Sequence, residues 1–185
     1  MNPTGLEPKV ERARKGDSEA WGEVYKTLAP LVFRLCRRIL PTKEDAEDAT
    51  AEIFLKAQIH LDQYDAGRPF RTWLYRVAAN HCWDELRKRR GRMETDTVEP
   101  AGEAVESDAP DPQEKLLADE TSQGIRASVA KLGDRDRLVV TLRYFAELSY
   151  QEIAEVLGVT STSVGVSLLR ARRKLRRTLT AARES

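Results

Sequence analysis

The sequence predicts an all-α protein in which two helical domains are joined by a flexible acidic linker. Apolar residues recur every three or four positions over 18–90 and again over 113–179, which is the period of amphipathic helices. Over 91–112 this period disappears, and Pro, Gly, Asp and Glu dominate. No segment alternates apolar and polar residues as a strand does. We therefore expect domains over 1–90 and 113–185, with the linker over 91–112.

The composition is typical of a globular protein, with 41% hydrophobic and 33% charged residues. No apolar run approaches the roughly 18 residues needed to cross a membrane. Residues 1–10 carry Pro3, Pro8 and charges where a secretory signal needs an apolar stretch. We expect a cytoplasmic protein.

Metal and cofactor chemistry has little support in the sequence. Cys36 and Cys82 each lie in a helical pattern without a second cysteine at metal-ligand spacing. His60 and His81 are the only histidines, so a zinc site would have to collect all four residues from distant places in the sequence. No nucleophile paired with a base and no phosphate-binding glycine loop emerges. We expect buried free thiols, no metal, no cofactor, no small-molecule substrate and no enzymatic activity.

Charge is segregated along the chain, although the formal net charge is only +1. Residues 1–90 carry 17 Lys and Arg against 14 Asp and Glu, residues 91–122 carry 2 against 10, and residues 123–185 carry 12 against 6. Basic regions attract phosphate backbones and release counterions on binding. Two basic halves around an acidic segment therefore indicate a nucleic-acid partner.

The first long helix is predicted to begin at Ser18, with Asp17 or Ser18 as its N-cap. Pro30 falls inside the pattern and is expected to bend or split the helix, and Pro41 ends it. The apolar stripe of this helix consists of Trp21, Val24, Tyr25, Leu28, Leu31, Val32, Leu35 and Ile39.

Two further helices follow in the first half. Thr42 and Asp45 have capping-box spacing at the start of a second helix. Its inner stripe is Ala46, Ala49, Ile53, Phe54, Ala57 and Leu61. A loop over 62–69 precedes a third helix, which begins near Phe70 and ends in the basic run over 87–90. Trp73 and Tyr75 on this helix fit either the core or a base-stacking surface.

The C-terminal half is predicted to contain helices over 113–132 and 134–145, followed by a helix-turn-helix over 149–177. The first helix of that unit is bounded by a hydrophobic staple, a capping box and a C′ glycine. The residues concerned are Leu148, Ser149, Glu152, Ile153 and Gly158. The second helix opens at 160 or 161.

In a helix-turn-helix, the N-terminal residues of the second helix contact base edges in the major groove. Hydroxyl groups bond several bases and Val166 can meet a thymine methyl, but the bidentate Arg or Asn pairings are absent from the first turns. The candidate base-reading residues are Ser161, Thr162, Ser163, Val166 and Ser167, and the candidate phosphate contacts are Arg170, Arg172 and Arg173. The alternative is a helical hairpin with a solvated basic face.

Spacings of four, three, four and three place a second candidate set on one face of the third helix. The set is Arg76, Asn80, Trp83, Arg87 and Arg90. Guanidinium, carboxamide and indole groups can contact phosphates, a base edge and an unstacked base, respectively. We expect this face to bind single-stranded or melted DNA.

Acidic residues gather in the first half of the second helix, at Asp45, Glu47, Asp48 and Glu52. Acids at a helix N-terminus are favourable to the macrodipole without any partner. The alternative is a docking face for a basic surface of another protein. Both explanations stay open at this point.

Three segments occur in order: DAEDATAEIFLKA at 45–57, GRPFRTWLYRVAANHCWDELRKRR at 67–90 and RDRLVVTLRYFAELSYQEIAEVLGV at 135–159. Together they resemble bacterial RNA polymerase sigma factors of the extracytoplasmic-function (ECF) group. The resemblance covers nearly all of the chain outside the N-terminal dozen residues and the linker. It implies a sigma factor that binds core RNA polymerase and directs promoter recognition, DNA melting and transcription initiation.

The resemblance also implies residue roles. Docking on the clamp helices of the polymerase's largest subunit is assigned to Asp45, Asp48, Glu52 and Phe54. The loop carrying Tyr64 and Arg68, with the third-helix face, captures the melted minus-ten element, and the C-terminal pair of helices reads the minus-thirty-five element. Polymerase supplies the catalysis, and many members are held inactive by an anti-sigma factor. The expected partners are therefore core RNA polymerase, promoter DNA and an anti-sigma factor.

The sequence departs from the family pattern at three places. Ala51 replaces a glutamine common in the docking helix, and Gly133 stands where a proline usually begins the C-terminal helices. In the recognition helix, residues 162–167 lack two positive side chains of the usual run, and Gly165 costs about 1 kcal/mol of helix propensity relative to alanine. Upstream-element binding is then weakened, retargeted or replaced by a protein contact.

A stand-alone helix-turn-helix regulator is the competing interpretation. Such a protein binds duplex DNA without polymerase, and deletion of residues 1–90 leaves that binding intact. The sigma-factor interpretation requires both halves.

Overall fold

The computed structural model describes residues 5–95 and 128–181, with side chains for all of them except 92–95 and 178–181. Every regular element in these two ranges is a helix, which confirms the predicted all-α class. The first range contains α1 (Leu6–Arg14), α2 (Ser18–Ile39), α3 (Lys43–Ile59), a 3-10 turn (Leu61–Gln63) and α4 (Phe70–Thr95). The second contains α5 (Asp134–Tyr144), α6 (Tyr150–Leu157) and α7 (Ser161–Ala181), preceded by helical residues 128–130.

Parts of two predictions lie outside the described residues. They are the linker beyond Thr95 and most of the helix predicted over 113–132. Within the described residues, no single helix is long and apolar enough to cross a membrane, and only α6 and α7 together, as a bent pair, meet that test by length and composition.

The sequence prediction missed α1. Leu6 and Val10 are buried, and α1 packs against α2. Lys9 pairs with Glu23 of α2 at 2.6 Å across this contact. Two buried residues in so short a helix produce too weak a periodic signal to be recognised from the sequence.

Helix α2 runs unbroken through Pro30, so the predicted split is absent. Asp17 caps its start by accepting a hydrogen bond from the Ala20 backbone N–H at 2.9 Å. Pro30 lies on the exposed side, while the buried stripe continues on both sides of it. Packing of that stripe therefore compensates the hydrogen bond that proline cannot donate. The helix ends before Leu40, which is extended as expected for a residue preceding proline.

Helices α3 and α4 complete the first unit. Thr42 caps α3 by accepting from the Asp45 N–H at 3.0 Å, and the predicted inner stripe is buried. α4 packs on α2 and α3 and continues to Thr95, past the expected end of the helix in the basic run over 87–90. Cys36 and Cys82 are buried free thiols, as predicted, with their Sγ atoms 3.7 Å apart.

Helices α5 to α7 form the second unit. Ser149 and Glu152 make the predicted capping box at the start of α6, and Gly158 ends it with φ 62°, a left-handed conformation that suits glycine. The chain turns through 101° between α6 and α7. This angle is within the range of helix-turn-helix units.

The two units contact each other along α2, α4, α5 and α6. Phe145, at the end of α5, lies beneath the Arg38 guanidinium, 4.1 Å from its carbon to the ring centroid, and beside the Tyr75 ring. Tyr75 is buried in this contact, so it belongs to the core rather than to a stacking surface. Between described residues, the same boundary is crossed by the ion pairs Arg71–Glu147, Arg76–Glu155 and Arg90–Asp134.

Candidate protein-docking and nucleic-acid interfaces

The outer face of α3 presents acids and two apolar side chains together. Asp48 and Glu52 are exposed, and one and two turns later Leu55 and Ile59 are 61% and 72% exposed. We call these four residues the docking surface. Sequence reasoning missed Leu55 and Ile59, although their spacing from Asp48 and Glu52 already placed them on the same side of the helix.

Two other predicted docking residues, Phe54 and Asp45, are less exposed than Asp48 and Glu52. Phe54 is buried and meets the rings of Trp21 and Tyr25 at centroid distances of 6.1 and 4.7 Å. In the free chain it supports the surface from beneath, and its assignment as a partner contact stays a prediction. Asp45 is half-exposed and pairs with Arg89 of α4 at 3.3 Å.

A buried histidine lies under the edge of the docking surface. Burial, with the nearby Lys56 ammonium, lowers the pKa of His81. The neutral ring can therefore accept a hydrogen bond from Lys56, whose Nζ lies 2.8 Å from Nδ1. Lys56 Nζ is also 4.0 Å from the Glu52 carboxylate, so the acidic surface has a basic rim on this side.

The predicted DNA-binding residues of α4 differ in their exposure and in their ion pairs. We call Arg76, Asn80, Trp83, Arg87 and Arg90 the melting surface. Asn80 is exposed and Trp83 is half-buried, so an amide and part of an indole ring are available to a ligand. Arg87 is exposed and pairs with Asp84 on its own helix at 3.1 Å. Arg76 and Arg90 are the two members bound by acids of the second unit.

The two predicted DNA contacts in the loop before α4 differ in exposure. Tyr64 is buried, its ring packs on Phe70 and Trp73, and its hydroxyl donates to the Arg68 carbonyl at 2.6 Å. In the free chain it holds the loop shape from inside, and its assignment as a DNA contact stays a prediction. Arg68 is exposed and lines a shallow cleft that extends to Glu152 of α6.

The N-terminal turns of α7 form the third surface. Ser161, Thr162, Val166 and Leu169 are exposed, and we call them the recognition surface. Ser163 is half-buried and its hydroxyl lies 2.9 Å from that of Thr160, the residue that caps the helix. Ser167 is buried beside the inner stripe in the free chain, and its assignment as a base-reading residue stays a prediction.

Several cations of α7 form hydrogen bonds with side chains of α5. Arg170 and Lys174 both bond the buried Asp136 carboxylate, at 2.7 and 3.0 Å. Arg172 Nε donates to the Tyr144 hydroxyl at 2.7 Å. Arg173 is exposed. No described group of three or more His, Cys, Asp or Glu residues has an arrangement that could hold a metal ion.

These elements define a helical DNA-binding protein of the sigma-70 class, with a helix-turn-helix in its second unit. Residues 24–92 match the family model "Sigma-70 region 2", and residues 122–175 match "Sigma-70, region 4". The chain belongs to the ECF RNA polymerase sigma factors. As an RNA polymerase sigma factor, it acts in promoter recognition and transcription initiation. Sigma factors are not enzymes.

Named relatives agree with this assignment. The chain is 32% identical over 181 residues to the ECF RNA polymerase sigma factor SigW of Bacillus subtilis (strain 168), covering 94% of this chain and 96% of SigW. It is 31% identical over 170 residues to the ECF RNA polymerase sigma-E factor of Escherichia coli (strain K12), covering 88% of each. The fold matches that of the sigma factor RpoE, solved with the anti-sigma factor NepR from Bartonella quintana, with a TM-score of 0.67 and 21% identity over 86% of this chain and 96% of that chain.

Proposed function

We propose that the three surfaces divide the work of initiation. The docking surface on α3 binds core polymerase, the melting surface on α4 holds the melted downstream element, and the recognition surface on α7 reads the upstream element. The observation that carries this proposal is the separation of chemistry: exposed acids concentrate on α3, whereas exposed cations concentrate on α4 and α7.

The docking surface fits a basic helical partner. Its acids provide orientation and on-rate, while burial of Leu55 and Ile59 provides affinity. The family resemblance identifies that partner as the clamp helices of the polymerase's largest subunit. Ala51, exposed between Asp48 and Leu55, replaces a polar contact with a methyl group and leaves this interface more apolar than usual.

The melting surface fits single-stranded DNA better than a duplex. The Trp83 indole offers a stacking face to an unstacked base, and Asn80 can bond a base edge only when that edge is accessible. Arg87, Arg90 and the loop residue Arg68 are suited to phosphates.

The remaining proposals concern domain limits, partners and place of action. The domains are taken as 1–90 and 113–185, with the segment between them as linker. The chain is proposed to lack catalytic activity of its own and to act inside the cell, where polymerase acts. An anti-sigma factor is proposed as a regulatory partner, since the relative RpoE was solved in complex with one.

Run-off transcription on a genomic library, with purified core polymerase and with or without this protein, tests the proposal as a whole. Protein-dependent starts that share two spaced upstream elements are the expected result. Absence of core binding together with a duplex footprint in the absence of polymerase would instead establish a stand-alone regulator.

Two substitution pairs test the individual surfaces. Asp48→Lys with Glu52→Lys should abolish core binding without loss of helix content, while Glu11→Lys with Glu19→Lys, an equal change of net charge on exposed positions of α1 and α2, should not. Asn80→Ala and Trp83→Ala should reduce open-complex formation more than closed-complex binding. A proportionate loss of both steps would remove the proposed single-strand role.

A further inference from the structure

The recognition surface lacks the polar side chains with which proteins usually discriminate bases. From Ser161 to Leu169 there is no Arg, Lys, Asn, Gln, Asp or Glu. The first cation, Arg170, bonds the buried Asp136 carboxylate through both its Nε and an Nη atom. The bidentate pairings that distinguish guanine or adenine in the major groove are therefore unavailable from the first two turns.

Two large apolar side chains occupy the outward face of these turns. Val166 is 58% exposed and Leu169 is 52% exposed, and their spacing of three places them side by side. The helix does not need them for packing, because Val164, Leu168 and Ala171 supply its buried stripe. Gly165 lies beside them, and a Cβ there would meet only the Tyr150 ring at 3.7 Å. Packing thus does not demand glycine at 165.

The surroundings of this apolar pair favour DNA as its ligand. The helix carries Arg172, Arg173 and Arg176 beyond Leu169, with no acid from Ser161 to Arg177. Such a helix face attracts a polyanion. The major groove presents one apolar group, the C5 methyl of thymine, and protein methyl groups contact it favourably.

We infer that Val166 and Leu169 are specificity-determining residues that read thymine methyl groups in the upstream promoter element. This inference rests on the proposed role of α7. Upstream specificity is then retargeted rather than lost: it comes from apolar contact and from the Ser161 and Thr162 hydroxyls, while cations later in the helix contribute sequence-independent affinity.

Deoxyuridine tests the inference directly, because it differs from thymidine only by the missing methyl. In the promoter defined by run-off transcription, each upstream thymine is replaced singly, and open complexes are titrated with the full chain and core polymerase. Loss of one buried methyl should weaken promoter binding about 3- to 5-fold at one or two positions. Val166→Ala or Leu169→Ala should cause a similar loss on thymine and little further loss on deoxyuridine, as coupled partners do.

Arg173→Ala provides the matched control on the same helix. It should weaken binding equally on thymine and deoxyuridine and reduce the salt dependence. Both apolar positions are exposed, so an unchanged unfolding midpoint is expected for their alanine variants. The inference is overturned if both alanine variants still bind the thymine promoter more tightly than the deoxyuridine promoter. It is also overturned if the variants show a binding defect only when a further protein is added. Failure of the proposed function itself is distinguishable, since no protein-dependent start would then be found.

Discussion

The Glu147 carboxylate lies 3.2 Å from the Arg71 guanidinium and joins the turn between α5 and α6 to α4. Glu147 is also the single non-glycine residue of the described ranges with a positive φ, 61°. A left-handed conformation costs a residue with a Cβ about 1–2 kcal/mol relative to glycine. The position therefore combines an unfavourable backbone with a side chain that reaches the other unit.

Substitutions at Glu147 separate these two effects. Glu147→Gly relieves the backbone cost and loses the ion pair, in which Glu147 is exposed and which contributes at most about 1 kcal/mol. Glu147→Ala loses the ion pair and keeps the backbone cost. We expect the thermal unfolding midpoint of Glu147→Gly to equal or exceed that of wild type, and the midpoint of Glu147→Ala to be lower than that of wild type. A glycine variant less stable than the alanine variant would contradict the assigned strain.

The Arg76–Glu155 ion pair predicts a competition with DNA. Arg76 belongs to the melting surface, and Glu155 of α6 occupies its guanidinium in the free chain. Glu155→Gln should therefore increase binding of a single-stranded oligonucleotide carrying the downstream element by about 2- to 5-fold, the range for a partly exposed ion pair. Fluorescence anisotropy with the chain alone measures this change.

Glu19→Gln, at an exposed position of α2, is the control for the loss of one negative charge. An equal increase with both variants would indicate general electrostatics rather than release of Arg76. Arg76→Ala combined with Glu155→Gln should remove the gain, because the freed guanidinium is then missing.

Local signals explain why much of the second unit could be predicted. Ser149, Glu152 and Gly158 define the limits of α6 through contacts within a few residues of each other, and such contacts can be identified from spacing alone. The buried stripe of α2 was equally visible, because it repeats over six turns. The continuity of α2 through Pro30 could not be predicted, since packing against other helices compensates the hydrogen bond that proline cannot donate.

The burial of three predicted site residues has a common physical cause. Phe54, Tyr64 and Ser167 have the right chemistry for their predicted roles, but each occupies a buried position in the free chain. Exposure there depends on neighbours distant in sequence, such as Trp21 and Tyr25 over Phe54. The ion pairs between the two units were invisible for the same reason.

The exposed apolar part of the docking surface leads to a third prediction. Leu55→Ala with Ile59→Ala should reduce core-polymerase affinity about 30- to 900-fold, since each truncation removes roughly 1–2 kcal/mol of apolar burial from the complex. The fold should keep its stability, because both side chains are mainly in solvent in the free chain. Competition binding to core polymerase and thermal unfolding give the two readouts.

Leu169→Ala is the matched control for this pair, as an exposed leucine on α7. It should leave core affinity unchanged in the absence of DNA. Core affinity that is insensitive to Leu55→Ala and Ile59→Ala would restrict the docking surface to its acids.

Asp136 gives a prediction about pH. Burial by itself raises the pKa of this carboxyl, but hydrogen bonds and charge from Arg170 and Lys174 outweigh it and hold the pKa below its ordinary value of 3.8. A carboxyl with a lower pKa in the folded state stabilises the fold above its unfolded pKa, and the contribution is lost as pH falls through the folded pKa. Asp136 should therefore stabilise the contact between α5 and α7 at neutral pH and lose this effect below about pH 4.

Urea unfolding of wild type and Asp136→Asn over a range of pH measures this contribution. At pH 7 the variant should be less stable by about 1–3 kcal/mol, the range for hydrogen bonds to a charged group. The difference should shrink towards acid, because protonation of Asp136 in wild type removes the same charge. Asp84→Asn, an exposed carboxylate on α4, should show a small difference at every pH. A difference for Asp136→Asn that stays constant from neutral to acid pH would mean that its side chain acts through packing rather than through the charge that holds Arg170 and Lys174.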